Sequence, residues 1–392
     1  MAQTKFHTSG QKVKRLSAWD IHNMMQESLQ THFALDRTDC DYEAQSIWDI
    51  LIGASVERTT TETMCAVLEE SPSANTVRNA LKGVLPDNGQ TDELEEQLND
   101  ALVWRLPKKM LTKPLPCAID LVMIPYHGKH EEDDAIRRGR AKSGTTHFHC
   151  YATLFTVKYN RRYTLALTLV RQSDKVLDVL TRLLERATKL SFKIKRLLLD
   201  REFDNNAVID YLQAKTFPVI IPLKIRGKQG GTRALLKGRK SHITTYTRNS
   251  TIYPTVTFTV HVVCKYSKGR YKRQGIFRFA YVVIGDLKLH PLQVYQEYRL
   301  RFGIETSYRL MNQVRARTTS RSPVIRFFYV GIALIMLNLW SFVKWLHLSV
   351  SQRDHRIILH RLFPLALWRL WLWEVVKHRL RLVMVITLVL PA

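Results

Sequence analysis

Three carboxylates are conspicuous in the 392-residue sequence because of where they stand. Asp120 lies inside the apolar run Cys117–Ile124 (CAIDLVMI), bounded by prolines, and is the only acid between Asp100 and Glu131. Asp200 follows the short apolar run Ile194–Leu199 (IKRLLL). Glu305 is the only acid between Tyr298 and Gln352, in a stretch that carries Arg299, Arg301, Arg309, Arg315 and Arg317. A carboxylate on an apolar strand is costly to desolvate and calls for a cation partner or a metal. One at a strand-to-helix turn stands where sites gather in open α/β sheets. Each also has a purely structural use: Asp120 paired with one Arg, Asp200 as a helix N-cap, Glu305 in a helix salt bridge with Arg301 or Arg309. Together, in this chain order, they match a two-metal phosphoryl-transfer site, in which ions about 3.5–4 Å apart share bridging carboxylate oxygens. Two Mg²⁺ ions suit hard oxygen ligands, with Mn²⁺ as a substitute.

The elements that must position these acids read as strands and helices in alternation. After a linker at 105–116, Cys117–Ile124, His147–Lys158 and Arg162–Val170 are strands, Asp178–Leu190 is an amphipathic helix and Ile194–Leu199 a buried strand. Ala207–Ala214 is helical and Phe217–Ile221 is the fifth strand. The expected fold class is α/β, a five-stranded mixed sheet with helices on its faces. The first part of this core is 117–223 and its second part, with the Glu305 helix and an apolar helix, is 288–350. Between them, 224–287 reads as a β-rich basic insertion. There Thr255–Cys264 alternates Val256, Phe258, Val260 and Val262 with Thr and His, as a half-buried antiparallel strand does. Its partner is Phe277–Ile284, across a tip carrying Lys268, Arg270, Lys272 and Arg273. A single long helix is expected from about Pro291 to Arg317. Residues 1–104 read as an all-α N-terminal domain and 351–392 as a C-terminal helical region. Within the former, Ser71-Pro72-Ser73 separates two helices, with Ser73 as N-cap and Gly83 as stop. That is a helix–turn–helix, either a DNA reader or a plain helical hairpin.

Charge divides along the same lines. Residues 1–100 hold 8 basic and 17 acidic side chains, and residues 101–392 hold 52 and 17, so the first part is a net −9 and the rest +35. The acidic part reads as a separate module, and the basic body suits a polyanion, either nucleic acid or an anionic membrane surface. With 45% apolar residues, disorder and small disulfide scaffolds are excluded. The five cysteines are odd in number and never in a C-x-x-C pair, which suits a reducing cytoplasm. Met1–Arg15 lacks the apolar core of a signal peptide. Phe327–Val343 is mostly apolar but interrupted by Asn338, and reads as a buried core helix rather than a membrane span.

The triad Asp120, Asp200, Glu305 on this strand order resembles the DDE triad of insertion-sequence transposases with an RNase H-like catalytic domain. Tyr298-x-x-Arg301-x-x-x-Glu305 is similar to the tyrosine–arginine–glutamate–lysine signature of the cut-and-paste group known as insertion-sequence family four. Asp200-Arg201-Glu202-Phe203 resembles that group's Asp-Arg-x-Phe pattern, and the β-rich insertion is also characteristic of it. The resemblance covers roughly residues 115–345. It implies strand cleavage at transposon ends and strand transfer into target DNA, by a homodimer on paired ends, at the nucleoid in a prokaryotic cytoplasm, with no membrane. It also implies that Arg301 contacts phosphates near the cut, supported by Tyr298. Two departures stand in the sequence. Asn312 occupies the signature lysine's place, with Arg315 one turn on as substitute, and no Trp lies between Trp104 and Trp340 to receive a flipped base in a hairpin step.

Further DNA contacts are expected from Arg309, and from Arg137, Arg138, Arg140 and Lys142, a basic run read as a flexible stretch near the first acid. His127 is either a proton shuttle or a solvent-exposed loop residue. The competing function classes are a non-catalytic DNA-binding protein on a transposase-derived scaffold, a nuclease of the same fold, and a membrane-surface protein.

Overall fold

A computed structural model describes the chain except for residues 1–14, 36–42, 88–89, 108–111, 130–132, 158–161, 216–217, 269–273, 353–354 and 386–392. Its centre is a mixed sheet. β1 (Leu115–Pro125) pairs antiparallel with β3 (Thr145–Thr156), and β3 with β4 (Thr164–Val170). On its other side β1 runs parallel to β5 (Ile194–Leu198), and β5 parallel to β6 (Val219–Pro222). The order β4-β3-β1-β5-β6 is the five-stranded mixed sheet expected from the sequence.

Two expectations need correction here. The basic run Arg137–Lys142 is a strand, β2, that pairs with the start of β3. The β-rich insertion adds strands to the five expected in the core sheet: β9 (Gln274–Ile284) pairs with β6, β8 (Val256–Lys268) with β9, and β7 (His242–Arg248) with β8. Among the described residues the sheet therefore has nine strands. This also changes the reading of β8. Val256, Phe258, Val260 and Val262 are buried as the alternation predicts, but His261 and Val263 are buried too. A sheet continuous with the core is covered on both faces, so the polar-out face is only partly polar.

One face of the sheet is covered by α6 (Val176–Lys189) and α7 (Asn206–Ala214). α6 buries Val179, Leu180, Leu183, Leu184 and Ala187, a single apolar stripe, against Cys117, Ile119, Leu197 and Leu199. Asn205 starts α7 by accepting from the Val208 amide at 2.9 Å. The opposite face carries α8 (Pro291–Arg299), whose Val294 and Tyr298 pack on Ala118, Leu198, Ile220 and Val283.

The apolar helix is α10 (Pro323–His347), started by Ser322 and lying in the core, as expected. Asn338 interrupts its apolar sequence for a packing reason. Its side chain accepts from the Thr164 amide and donates to the carbonyls of Thr164 and Leu102, so β4 and α5 (Thr91–Val103) are fixed to α10. Around α10 gather α1 (Ala18–His32), α2 (Ala44–Glu57), α5 and the C-terminal α11 (Leu365–Leu380), in one hydrophobic cluster. Gly331 of α10 lies so close to Leu98 of α5 that a Cβ there would sit 2.1 Å from it. The acidic segment therefore does not stand apart as a module: it shares its core with the body. α3 (Thr61–Val67) and α4 (Ala74–Val84) form the expected helical pair with Ser73 as N-cap, although α4 runs on through Gly83.

Candidate active site

β1 and β5 lie side by side with Ala118 opposite Leu198, and Asp120 and Asp200 each stand two residues further along. Two neighbouring parallel chain paths thus deliver two carboxylates to one level of one face. A single side chain joins them. Arg301 donates to Asp120 Oδ1 at 2.8 Å and lies 3.5 Å from Asp200 Oδ2. Asp200 also accepts from the Arg201 amide and starts the 3₁₀ turn Arg201–Phe203, so its capping and charge-pairing roles coexist.

The helix expected over Pro291–Arg317 is broken. α8 ends at Arg299, Leu300–Phe302 form a 3₁₀ turn, and α9 is Gly303–Met311. The tighter winding puts Arg301 inward, with only 6% of the residue exposed. Burial pushes the Asp120 carboxyl up to about 6, against the pull of Arg301 and with repulsion from Asp200. For Arg301, burial alone would lower the guanidinium, but Asp120, Tyr298 and Asp200 outweigh it and raise it. Tyr298 packs its ring 5.2 Å from that of Tyr281 and supports Arg301 from below.

Glu305 is exposed on the first turn of α9, four residues past Arg301. The structure thus brings two of the three expected acids together and leaves the third outside the pair. Among the described residues no group of three or more His, Cys, Asp or Glu is arranged to hold a metal. Arg301 stands between the two aspartates, and Glu305 lies exposed just past the 3₁₀ turn. α9 is nevertheless fixed to the site. The Tyr308 hydroxyl donates to the Asp120 carbonyl oxygen at 3.0 Å and bonds Thr153 Oγ1 at 2.8 Å. Sequence reasoning missed Tyr308, whose partners lie 188 and 155 residues away and leave no local signal.

The remaining expected contacts are dispersed. Arg309 and Asn312 are exposed along and just after α9. Arg315 is half-buried, near Tyr151. Arg137, Arg138, Arg140 and Lys142 lie on β2, paired with β3 at Thr145–Phe148, whereas Asp120 pairs with Thr153. At about 3.4 Å per residue that separation is on the order of 17 Å or more, so this run does not line the carboxylates. Arg270, Lys272 and Arg273 lie outside the described residues, as does the side chain of Lys268 at the end of β8. His127 is exposed on the loop after β1. Sequence reasoning also missed Asp204, which is fully buried and pairs with Arg248 at 2.6 Å. That pair, with Asn206 donating to the carbonyls of Arg248 and Pro254, ties the end of β7 beside the Asp200 turn.

A transposase DDE domain profile matches residues 112–339, more than half of the chain. The chain belongs to the DDE transposase family. A DDE transposase acts on DNA, and divalent-metal dependence goes with the family. No curated protein sequence matches the chain. Among solved structures it is similar to a piggyBac transposase in a synaptic complex with hairpin DNA, with a TM-score of 0.51 at 11% identity, covering 95% of this chain and 83% of that one. That likeness concerns the fold, which is RNase H-like. The transposase's residues fit divalent ions in donor chemistry: the carboxylate oxygens of Asp120 and Asp200 converge on one cation, here the Arg301 guanidinium.

Proposed function

We propose that this DDE transposase cleaves DNA strands at the ends of its own mobile element and joins them to target DNA by a two-metal mechanism. The convergence of Asp120 and Asp200 at one level of adjacent parallel strands, on the face where the Glu305 helix packs, is the observation that carries this reading. Asp120, Asp200 and Glu305 would hold two Mg²⁺ ions, with Mn²⁺ as substitute, and the ions would supply charge to the attacking and leaving oxygens. The chain's own groups do the rest. Arg301 balances the two aspartates in the free protein and offers its guanidinium to the DNA phosphate beside the cut, with Tyr298 beneath it. Tyr308 holds α9 on β1, so the helix that carries Glu305 is anchored at the backbone of Asp120.

Arg309, Asn312 and Arg315, further along the same chain segment, contact the adjoining backbone in this reading, and the insertion-tip cations Lys268, Arg270, Lys272 and Arg273 hold DNA farther out. The protein acts as a homodimer on paired terminal repeats, on double-stranded DNA, at the nucleoid of a prokaryotic cytoplasm and without a membrane. A marked element carrying its native ends tests the proposal. Wild-type protein should excise it in cells, and Asp120→Asn or Asp200→Asn should lower excision at least a hundredfold while purified protein still binds duplex DNA. Excision by either variant at the wild-type rate would refute the assignment.

A further inference from the structure

Arg58, Arg315, Arg317 and Arg326 gather where the end of α2, the segment after α9 and the first turn of α10 meet. Backbone and ring contacts fix the place. The Arg317 amide donates to the Thr59 carbonyl at 2.9 Å, next to Arg58. Arg326 Nε donates to the Ser320 carbonyl at 2.7 Å, and its guanidinium lies 5.1 Å from the centre of the Tyr126 ring. Arg315 lies among the other three. Burial, and repulsion from Arg326, Arg58 and Arg317, hold its guanidinium below the ordinary value, with Tyr151 opposing.

No carboxylate relieves this concentration of charge. Elsewhere several buried or half-buried arginines have acids, as Arg182 has Asp174, Arg248 has Asp204 and Arg301 has Asp120. Among the described residues none of these four forms an ion pair with Asp or Glu, and Arg315 Nε is buried with no hydrogen-bond partner. Four like charges brought together with a donor left unmade cost free energy in the free protein, and an anion with several acceptor oxygens would recover it.

The location says which anion. Tyr151 pairs with Val122 in the β1–β3 register, and Thr153 with Asp120, so Tyr151 is one same-face step from the catalytic level. That step is about 7 Å, while Tyr126, which Arg326 faces, stands six residues along from Asp120, about 20 Å, so the cluster spans roughly two to six base-pair rises of duplex DNA from the catalytic level. We propose that Arg58, Arg315, Arg317 and Arg326 form a phosphate-binding station for the DNA backbone flanking the cut. The guanidinium forks match phosphodiester oxygens two at a time, and Arg58 and Arg317, both exposed, are its solvent-facing members.

The station rests on the DNA-cleavage reading above, and the test separates the two. Affinity for a short duplex of arbitrary sequence is measured against salt for wild type, for Arg58→Ala/Arg317→Ala, and for Arg58→Lys/Arg317→Lys. The alanine pair should weaken binding at least tenfold at moderate salt and lower the slope of log K against log[salt] by about 2, one for each phosphate no longer neutralised. The lysine pair should keep the wild-type slope, which a merely structural role for the arginines would not predict. Equal affinity and slope for the alanine pair and wild type would overturn the station alone. A wild-type protein with no affinity for duplex DNA would overturn the cleavage reading with it.

Discussion

Arg301 places one positive charge between two carboxylates that would otherwise repel each other, and it does so while almost fully buried. A buried charge that loses its partner is strongly destabilising, so Arg301 and the aspartates are mutually required in the free protein. Tyr308 is the more discriminating residue to probe, since its hydroxyl reaches the Asp120 carbonyl without carrying charge. Tyr308→Phe should cost about 1 kcal/mol of stability, read by denaturant unfolding, and slow end cleavage at least tenfold with duplex affinity unchanged. Unchanged cleavage would mean that α9 needs no anchor at β1. Asp120 and Asp200 were legible from the sequence because isolated acids on apolar strands have few explanations. Tyr308 was not, because its partner lies 188 residues away and a tyrosine on a helix has many.

At the scale of elements, helix α8, the 3₁₀ turn and α9 replace the single helix that periodicity predicts. Local spacing is compatible with either; the break turns Arg301 inward to Asp120 and Asp200, contacts across the chain that no window of sequence contains. The β8 alternation was legible on one face, while burial of His261 and Val263 depends on the sheet being continuous, which no window of sequence contains. The insertion's attachment can be tested at Asp204, whose carboxylate is buried against Arg248. Asp204→Ala should destabilise the protein by about 3–5 kcal/mol, by leaving the Arg248 charge unpaired. Another element, α5, meets β4 through Glu95, which accepts from Thr168 Oγ1 and the Leu169 amide. Burial raises its carboxyl to about 7 from the ordinary 4.5, against the pull of those two bonds. The folded state therefore holds this proton more tightly than the unfolded one. Its stabilising contribution is full below about pH 4.5 and is lost as pH rises through about 7, a swing on the order of 3 kcal/mol. Glu95→Gln keeps an acceptor and removes the titration. Thermal unfolding should find the variant more stable than wild type at pH 8.5 and no more stable at pH 5; a constant difference across that range would refute the assignment.

For the whole molecule, the acidic first hundred residues have a partner in the basic body. Glu27 pairs with Arg105, Asp49 with Arg379, Glu70 with Arg381, Asp92 with Arg171, Glu96 with Lys189 and Asp100 with Arg186. Except for Asp49, which is buried, these are surface pairs that add little stability, but they set which surface faces which. The energy lies in the shared core around α10, where Leu98, Trp48 and Phe33 meet Phe328 and Gly331. A chain that starts at residue 105 should therefore give no cooperative melting transition, whereas an independent module could be removed without that loss. The charge division was legible from composition, but its meaning was not, since pairing across some 80 to 330 residues leaves no local trace.

The central claim is that Asp120, Asp200 and Glu305 hold the metals on which cleavage depends. Anomalous scattering from Mn²⁺ in crystals of the protein with its element-end DNA tests it most directly. Manganese peaks are expected about 2.1 Å from carboxylate oxygens of Asp120 and Asp200, with Glu305 drawn in as a ligand and Arg301 moved from between the aspartates to a phosphate. Manganese bound elsewhere, or a Glu305 carboxyl still more than ~8 Å from both aspartates in that complex, would contradict it.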